Sequence, residues 1–186
     1  MRQLADNAFE ALALPELGVI YRVARRLTRN EAEAEDLVQE TYLKAQTAFA
    51  SFQLQAFGIR PWLLRILNNS FLNRVARDRR APRHTDNEIL ESFESASGAA
   101  NATRQSLDFD HLDDEVKAAI EGLQPEFRAV LLLWATMEYS YQEIADIIDV
   151  PIGTVMSRLH RAKRLMSDAL RGYAREHRLA AERDAG

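Results

Sequence analysis

Apolar residues along this chain recur at intervals of three and four, the spacing that puts them on one face of a helix. Leu17, Ile20, Tyr21, Ala24 and Leu27 form a first stripe, in a helix that Pro15 suits as a first-turn residue. Asn30 caps a second helix with Glu33 three residues on, and its stripe runs Ala34, Leu37, Val38, Thr41, Ala45, Ala48 and Phe49. Gly58 and Pro61 mark a loop, and Pro61 opens a third helix bearing Leu63, Ile66, Leu67, Phe71 and Val75. The periodicity fails from 81 to 109, where ESASGAANAT at 94–103 reads as a flexible linker. It resumes with Leu112, Val116, Ala119, Ile120 and Leu123. Pro125 then opens a helix with Val130, Leu131, Leu133 and Trp134, and further helices are predicted at 141–148 and 154–173. Sustained alternation of period two and internal repeats are both missing. The predicted fold class is all-α: two small helical domains, 1–80 and 110–178, joined by a flexible acidic linker at 81–109, with a tail at 179–186.

Composition narrows the chemistry. The chain has 186 residues and no cysteine. Disulfide scaffolds, thiolate metal sites and cysteine nucleophiles are therefore excluded, and so is thiol-based redox sensing by the chain itself. No apolar run reaches the roughly 18 residues of a membrane span, and the N-terminus lacks a signal-peptide pattern, so a cytoplasmic location is expected. The histidines at 84, 111, 160 and 177 are scattered, and neither a glycine-rich phosphate loop nor an HExxH motif occurs. An enzyme and a bound cofactor are not expected. The acidic run DFDHLDDE at 108–115 lacks the turn glycine of an EF-hand, and acids at a helix start are explained by the helix dipole, so no metal is expected.

Net charge at first opposes a nucleic-acid partner, since 24 Lys and Arg face 28 Asp and Glu. Its distribution reverses that reading. Residues 60–83 sum to +6 and 150–178 to +5, whereas 84–126 sum to −9. Both basic blocks coincide with predicted amphipathic helices, although a solvated face is the plainer explanation for either one alone.

The C-terminal block carries the sharper motif, SYQEIADIIDVPIGTVMSRLHRAKRLM at 140–166. Ile144 and Ile148 share a helix face, Ala145 allows close approach, and residues 149–153 form a turn that Val150 plugs. Thr154 then caps a helix with buried stripe Val155, Leu159, Ala162 and Met166. Ser157, Arg158, Arg161 and Arg164 project oppositely, with Lys163 beside them. This is a helix-turn-helix, whose second helix enters the major groove; arginine can bond guanine O6 and N7 together. In the N-terminal block, Glu35, Asp36, Gln39, Glu40 and Lys44 make an acidic face suited to a basic protein partner, or merely to solvent. The next helix combines Trp62, Asn68, Asn69 and Asn73 with Arg65 and Arg74, after a loop containing Phe52, Phe57 and Arg60. Unstacked bases need flat apolar surfaces and amide hydrogen bonds, and their backbone needs cations. Core packing competes as an account of each aromatic.

DLVQETYLKAQTAF followed by RPWLLRILNNSFLNR resembles region 2 of the extracytoplasmic-function (ECF) sigma factors of bacterial RNA polymerase, and SYQEIADIIDVPIGTVMSRLHRAKRLM resembles their region 4. Order and spacing agree over about residues 8–175. The resemblance implies that Asp36, Gln39 and Glu40 dock on the clamp helices of core RNA polymerase. It implies that loop 50–60 with Asn69 captures a flipped non-template base of the promoter −10 element, making Phe52, Phe57, Arg60, Trp62, Asn69 and Asn73 the candidate contacts there. Thr154, Ser157, Arg158, Arg161 and Lys163 are the candidates for reading the duplex −35 element. An anti-sigma factor is a further candidate partner, and the free chain is expected to be a monomer. QLQAFGIRP is more apolar and one residue longer than the family's usual loop, and Met156 replaces a frequent basic residue. Two other readings compete. An ordinary helix-turn-helix regulator leaves 31–83 unexplained, and a sigma mimic that titrates an anti-sigma factor does not need the DNA-reading arginines.

Overall fold

In a computed structural model, residues 2–52, 58–78, 112–137 and 139–173 are described. Phe57, Arg79, Arg80, Arg83, all of segment 81–109 and the tail from 174 lie outside them, as does the first half of the acidic run at 108–115. Every element among the described residues is helical: α1 (Arg2–Ala13), α2 (Leu17–Thr28), α3 (Glu31–Ala48), α4 (Arg60–Asp78), α5 (Asp114–Gly122), α6 (Pro125–Thr136), α7 (Tyr141–Ile148) and α8 (Ile152–Ala169), with 3-10 turns at Leu14–Glu16 and Phe49–Ser51.

Several boundaries differ from expectation for local reasons. Pro15 lies in the 3-10 turn and not in α2, which starts at Leu17. The extra helix α1 contributes Phe9 and Ala13 to the core. Leu17, expected in the stripe, is 42% exposed, and Val23 is buried instead. Ala48 is exposed at the end of α3. Asn30 caps α3 as its residue type predicts, with Oδ1 accepting from the Glu33 amide at 3.1 Å. Gly58 takes φ 75° just before α4, a conformation that side-chain-bearing residues rarely adopt.

α3 packs between α2 and α4, and α8 lies across α6 and α7. These helices bury Ile20, Leu37, Leu63, Leu64 and Leu67 in the first half and Val130, Leu132, Ile144, Val155 and Leu159 in the second. The halves also meet: α4 packs on α7, and α2 and α4 both touch α6. No helix among the described residues is long and apolar enough to cross a membrane.

Candidate nucleic-acid interface

The second half folds as the motif predicts, with two corrections. α7 is closed at its start by a reciprocal capping box: Ser140 Oγ accepts from the Glu143 amide at 3.3 Å, and Glu143 Oε2 accepts from the Ser140 amide at 2.7 Å. It ends at Asp149 in the left-handed region (φ 59°), where the Val150 amide still reaches the Ala145 carbonyl. The turn is therefore shorter than expected: α8 begins at Ile152, so Ile152 and Gly153 are already helical. Pro151 occupies the cap position, and Thr154 is not the cap but the third helical residue. α8 also ends at Ala169, short of 173.

Val155, Leu159 and Ala162 face the core, and Ser157 and Arg161 project to solvent, with Thr154 and Arg158 half-buried at the edges. Among the described residues, the side chains of Arg158, Arg161 and Arg164 make no hydrogen bond or ion pair. Lys163 differs, because its ammonium sits 3.7 Å from the centroid of the Trp134 ring on α6. Ile152 and Met156 are 42% and 40% exposed, giving the start of α8 an apolar strip that sequence reading did not anticipate. Once the helix is known to start at 152, their exposure follows from the helical repeat.

In the first half, Trp62, Asn69 and Asn73 recur at helical spacing on one side of α4, and both asparagines are exposed. Trp62 packs against Phe52 with ring centroids 4.7 Å apart; Phe52 stacks on Phe49, and Phe49 meets the buried Phe9. Phe52 and Trp62 are thus the half-buried outer end of a core aromatic chain, on the side of α4 that also carries the two amides. Arg60 Nε donates to Glu16 Oε2 at 2.6 Å, an ionic hydrogen bond that raises the arginine pKa. Asn68, next to the candidate Asn69, is only 4% exposed, and its amide finds no partner among the described residues.

The acidic residues of α3 line an open groove between α3 and α4 of about 730 Å³, shared by Asp36, Gln39, Glu40, Leu43, Arg74 and Arg77 among others. Glu40 is the fixed point. It accepts from Lys44 at 2.6 Å and from Arg74 Nη2 at 2.6 Å. Burial acts to raise its pKa, but these hydrogen bonds and the two positive charges prevail and hold it at about 2. Leu43, 59% exposed in the same groove, offers an apolar anchor among the charges, which its position in a polar-looking helix did not advertise.

Comparison with known proteins places these two halves in order. The sigma-70 region 2 family model matches residues 13–81, and the sigma-70 region 4 model matches residues 113–166. The first match covers the segment that an ordinary helix-turn-helix regulator leaves unexplained. The chain is 32% identical over 174 residues to the ECF RNA polymerase sigma factor SigE of Mycolicibacterium smegmatis, covering 94% of this chain and 66% of that relative. It is also 32% identical to the RNA polymerase sigma-H factor of Pseudomonas aeruginosa, covering 91% of this chain and 90% of that one. Among solved structures, the sigma factor RpoE of Bartonella quintana, crystallised with the anti-sigma factor NepR, superposes with a TM-score of 0.64 at 28% identity, covering 88% of this chain and 97% of that one. The chain therefore belongs to the extracytoplasmic-function sigma factors of the sigma-70 family, alternative sigma factors that bind core RNA polymerase and direct transcription initiation at promoters.

Proposed function

We propose that the division of labour follows the two exposed surfaces. α8 reads the −35 duplex through Ser157, Arg158 and Arg161, with Thr154 at the phosphate edge and Ile152 and Met156 available to thymine methyl groups. α4 reads the −10 element as single strand, through Asn69 and Asn73 beside the Phe52–Trp62 surface. The α3–α4 groove docks core polymerase through Asp36, Gln39 and Glu40 around Leu43. The observation that carries this reading is that the half-buried Trp62 and the exposed Asn69 and Asn73 share one side of α4, giving that side both an aromatic and amides, the two kinds of group that captured bases require.

Opening then needs no bond chemistry. A chain that binds melted DNA better than duplex shifts the duplex–open equilibrium by that difference. One or two bases captured at about 1–3 kcal/mol each offset a few kcal/mol of local unstacking. The two elements lie roughly 85 Å apart at ~34 Å per helical turn. Residues 81–109, fully extended, reach about 95 Å, enough to let the two domains hold both. The acids of that segment would also screen the basic faces in the free protein, which the free protein's DNA affinity would reveal if those acids were neutralised. By analogy with the Bartonella complex, an anti-sigma factor is a candidate partner, and the location of action is the cytoplasm.

Run-off transcription with purified core polymerase on a promoter panel tests the reading. Promoter-specific initiation is expected, and Asn69→Ala should impair opening while leaving −35 duplex binding intact. Absence of both specific initiation and core binding would refute it.

A further inference from the structure

We infer that Arg74 and Lys44 are positioning residues for polymerase docking: they hold the Glu40 carboxylate in one orientation before the partner arrives. The inference rests on the proposed docking of core polymerase in the α3–α4 groove. That carboxylate is held from two sides. Oε2 accepts twice from Arg74, from Nε at 2.9 Å and from Nη2 at 2.6 Å, and Oε1 accepts from Lys44 Nζ at 2.6 Å. Both cations are anchored in turn. Arg74 Nη2 also donates to the Asp36 carbonyl at 3.0 Å, and Lys44 Nζ donates to Ser70 Oγ at 3.0 Å, where Ser70 is 1% exposed. Asp36, Glu40 and Lys44 follow one another at four-residue intervals along α3, as Ser70 and Arg74 do along α4, so two rows of side chains interlock between the helices.

Three other polar groups of the groove are not held in this way. Glu33, Asp36 and Gln39 are exposed, and their side chains have no partner among the described residues. By charge, Glu40 contributes little to attracting a basic partner, because two cations face its one negative charge. Long-range attraction falls to Asp36 and Glu33 instead. By geometry its contribution is larger. A free glutamate must give up its rotamer freedom when it is bound, and that entropy is subtracted from affinity. Glu40 has given it up already on folding. A carboxylate has about four acceptor positions. The hydrogen bonds from Arg74 and Lys44 leave one of them, on Oε1, for a donor of the partner, and the Glu40 side chain is 26% exposed and so within reach.

Positioning and attraction leave opposite signatures in the rates. Removing either cation makes the groove more negative, so a basic partner should arrive at least as fast. The same change lets Glu40 move among rotamers, so the complex should come apart sooner. A residue that served only the fold would lower the active fraction and leave both rate constants of the folded fraction as they were. Lys44 is the sharper probe of the two. Its side chain is 51% exposed, so its replacement leaves no buried gap, and among the described residues its partners are Glu40 and Ser70.

The test is to pass the full-length chain over immobilised core polymerase at low ionic strength and follow binding and release. Lys44→Met keeps the aliphatic length and removes the ammonium. Its dissociation rate constant should rise about 2- to 13-fold, the factor equivalent to ordering one long side chain. Its association rate constant should equal or exceed that of wild type. Arg74→Met should behave likewise, and if it does not fold, Lys44→Met still decides. In a Glu40→Gln background, Lys44→Met should change dissociation far less, because the carboxylate it positions is gone. An unchanged dissociation rate constant in Lys44→Met would overturn the positioning role. Slower association would do the same, since the ammonium would then meet the polymerase itself. So would an equal increase in dissociation with Glu40→Gln present, which would make Lys44 independent of Glu40. Asp36→Asn and Leu43→Ala test the docking reading separately. If either weakens binding while Lys44→Met leaves dissociation untouched, only the positioning role falls. If none of these changes alters binding, the polymerase docks elsewhere and both readings fall.

Discussion

The arginines of α4 and α8 look alike in the sequence, but three of the four on α4 are paired while the three on α8 are not. On α4, Arg60 is paired with Glu16, Arg65 with Asp149 and Arg74 with Glu40, and only Arg77 has no partner among the described residues. On α8, Arg158, Arg161 and Arg164 have no carboxylate partner among the described residues. Local supply of acid explains the difference. The helices around α4 bring Glu16 and Glu40 within reach, whereas the block 150–178 holds only Asp168 and Glu176, and Asp168 is spent on Arg171. An arginine already paired must break that pair before it can bind phosphate or a base, which cancels much of the gain. Under the proposed division of reading, the unpaired arginines of α8 suit a rigid duplex, while the −10 side of α4 relies more on its uncharged amides. Basic blocks of nearly equal net charge thus differ in how their described arginines are engaged.

The largest effect should come from the free set. Replacing Arg158 and Arg161 by Ala together should weaken −35 duplex binding by about 2–6 kcal/mol, at about 1–3 kcal/mol for each base-contacting arginine. Fluorescence anisotropy at fixed salt measures the loss, and the urea midpoint should not move. A midpoint that fell along with affinity would mean these side chains hold structure, and the contrast with α4 would collapse. Next in size is Asn69→Ala, expected to cost promoter opening up to about 1–3 kcal/mol per base captured. Arg60→Ala should cost opening less than this, because Arg60 is committed to Glu16. Permanganate reactivity of the melted thymines compares the two, and the reverse order would show that α4 reads DNA with its arginine after all.

A smaller effect is expected where the pairing is half-buried. Arg74→Ala should destabilise the first half by about 1–2 kcal/mol, between the ranges for surface and buried pairs, since both partners are 26% exposed. The pH dependence gives an independent reading. The Glu40 carboxyl is lowered from 4.5 to about 2 in the folded state, so its contribution is complete above 4.5 and fades as pH falls from 4.5 toward 2. The difference in urea stability between wild type and Glu40→Gln should follow that course. A constant difference across the window would show that the Arg74–Lys44 grip on Glu40 is loose in solution.

What the sequence made legible was whatever local chemistry determines. The span of α7 and the capping of α3 by Asn30 depend on residues within one turn, and both are found where the pattern puts them. Thr154, a common cap type, suggests a later start for α8 than the structure has. Asp149 in the left-handed region ends α7 so tightly that Val150 and Pro151 complete the turn alone. α1 escaped notice because Phe9 and Ala13 make a sparse stripe that gains meaning only against Phe49 and Tyr42. For the candidate site, helical spacing put Asn69 and Asn73 on an exposed side of α4 and Ser157 and Arg161 on an exposed side of α8, as the structure has them. Spacing did not show which arginines were engaged, since Glu16 and Asp149 lie far in sequence from Arg60 and Arg65. Arg128 was least legible of all: its partners are the carbonyls of Leu27 and Leu123, and no residue type announces a main-chain acceptor.

The weakest of the three α4 pairs sets the finest test of the comparison. Arg65 and Asp149 are 44% and 69% exposed, so solvent screens their attraction, and a coupling of about 0.2–1 kcal/mol is expected. Asp149→Ala would mix that term with the strain of placing alanine at φ 59°. Asp149→Asn removes the charge while keeping a side chain that tolerates the left-handed region. A double-mutant cycle of Arg65→Gln with Asp149→Asn, read by urea unfolding at low ionic strength, should therefore return the coupling alone. In 1 M salt, where the screening length is about 3 Å, most of it should vanish. A coupling of zero at low salt would leave Arg65 as free as the arginines of α8, and the line between the two helices would then be drawn by Arg60 and Arg74 only.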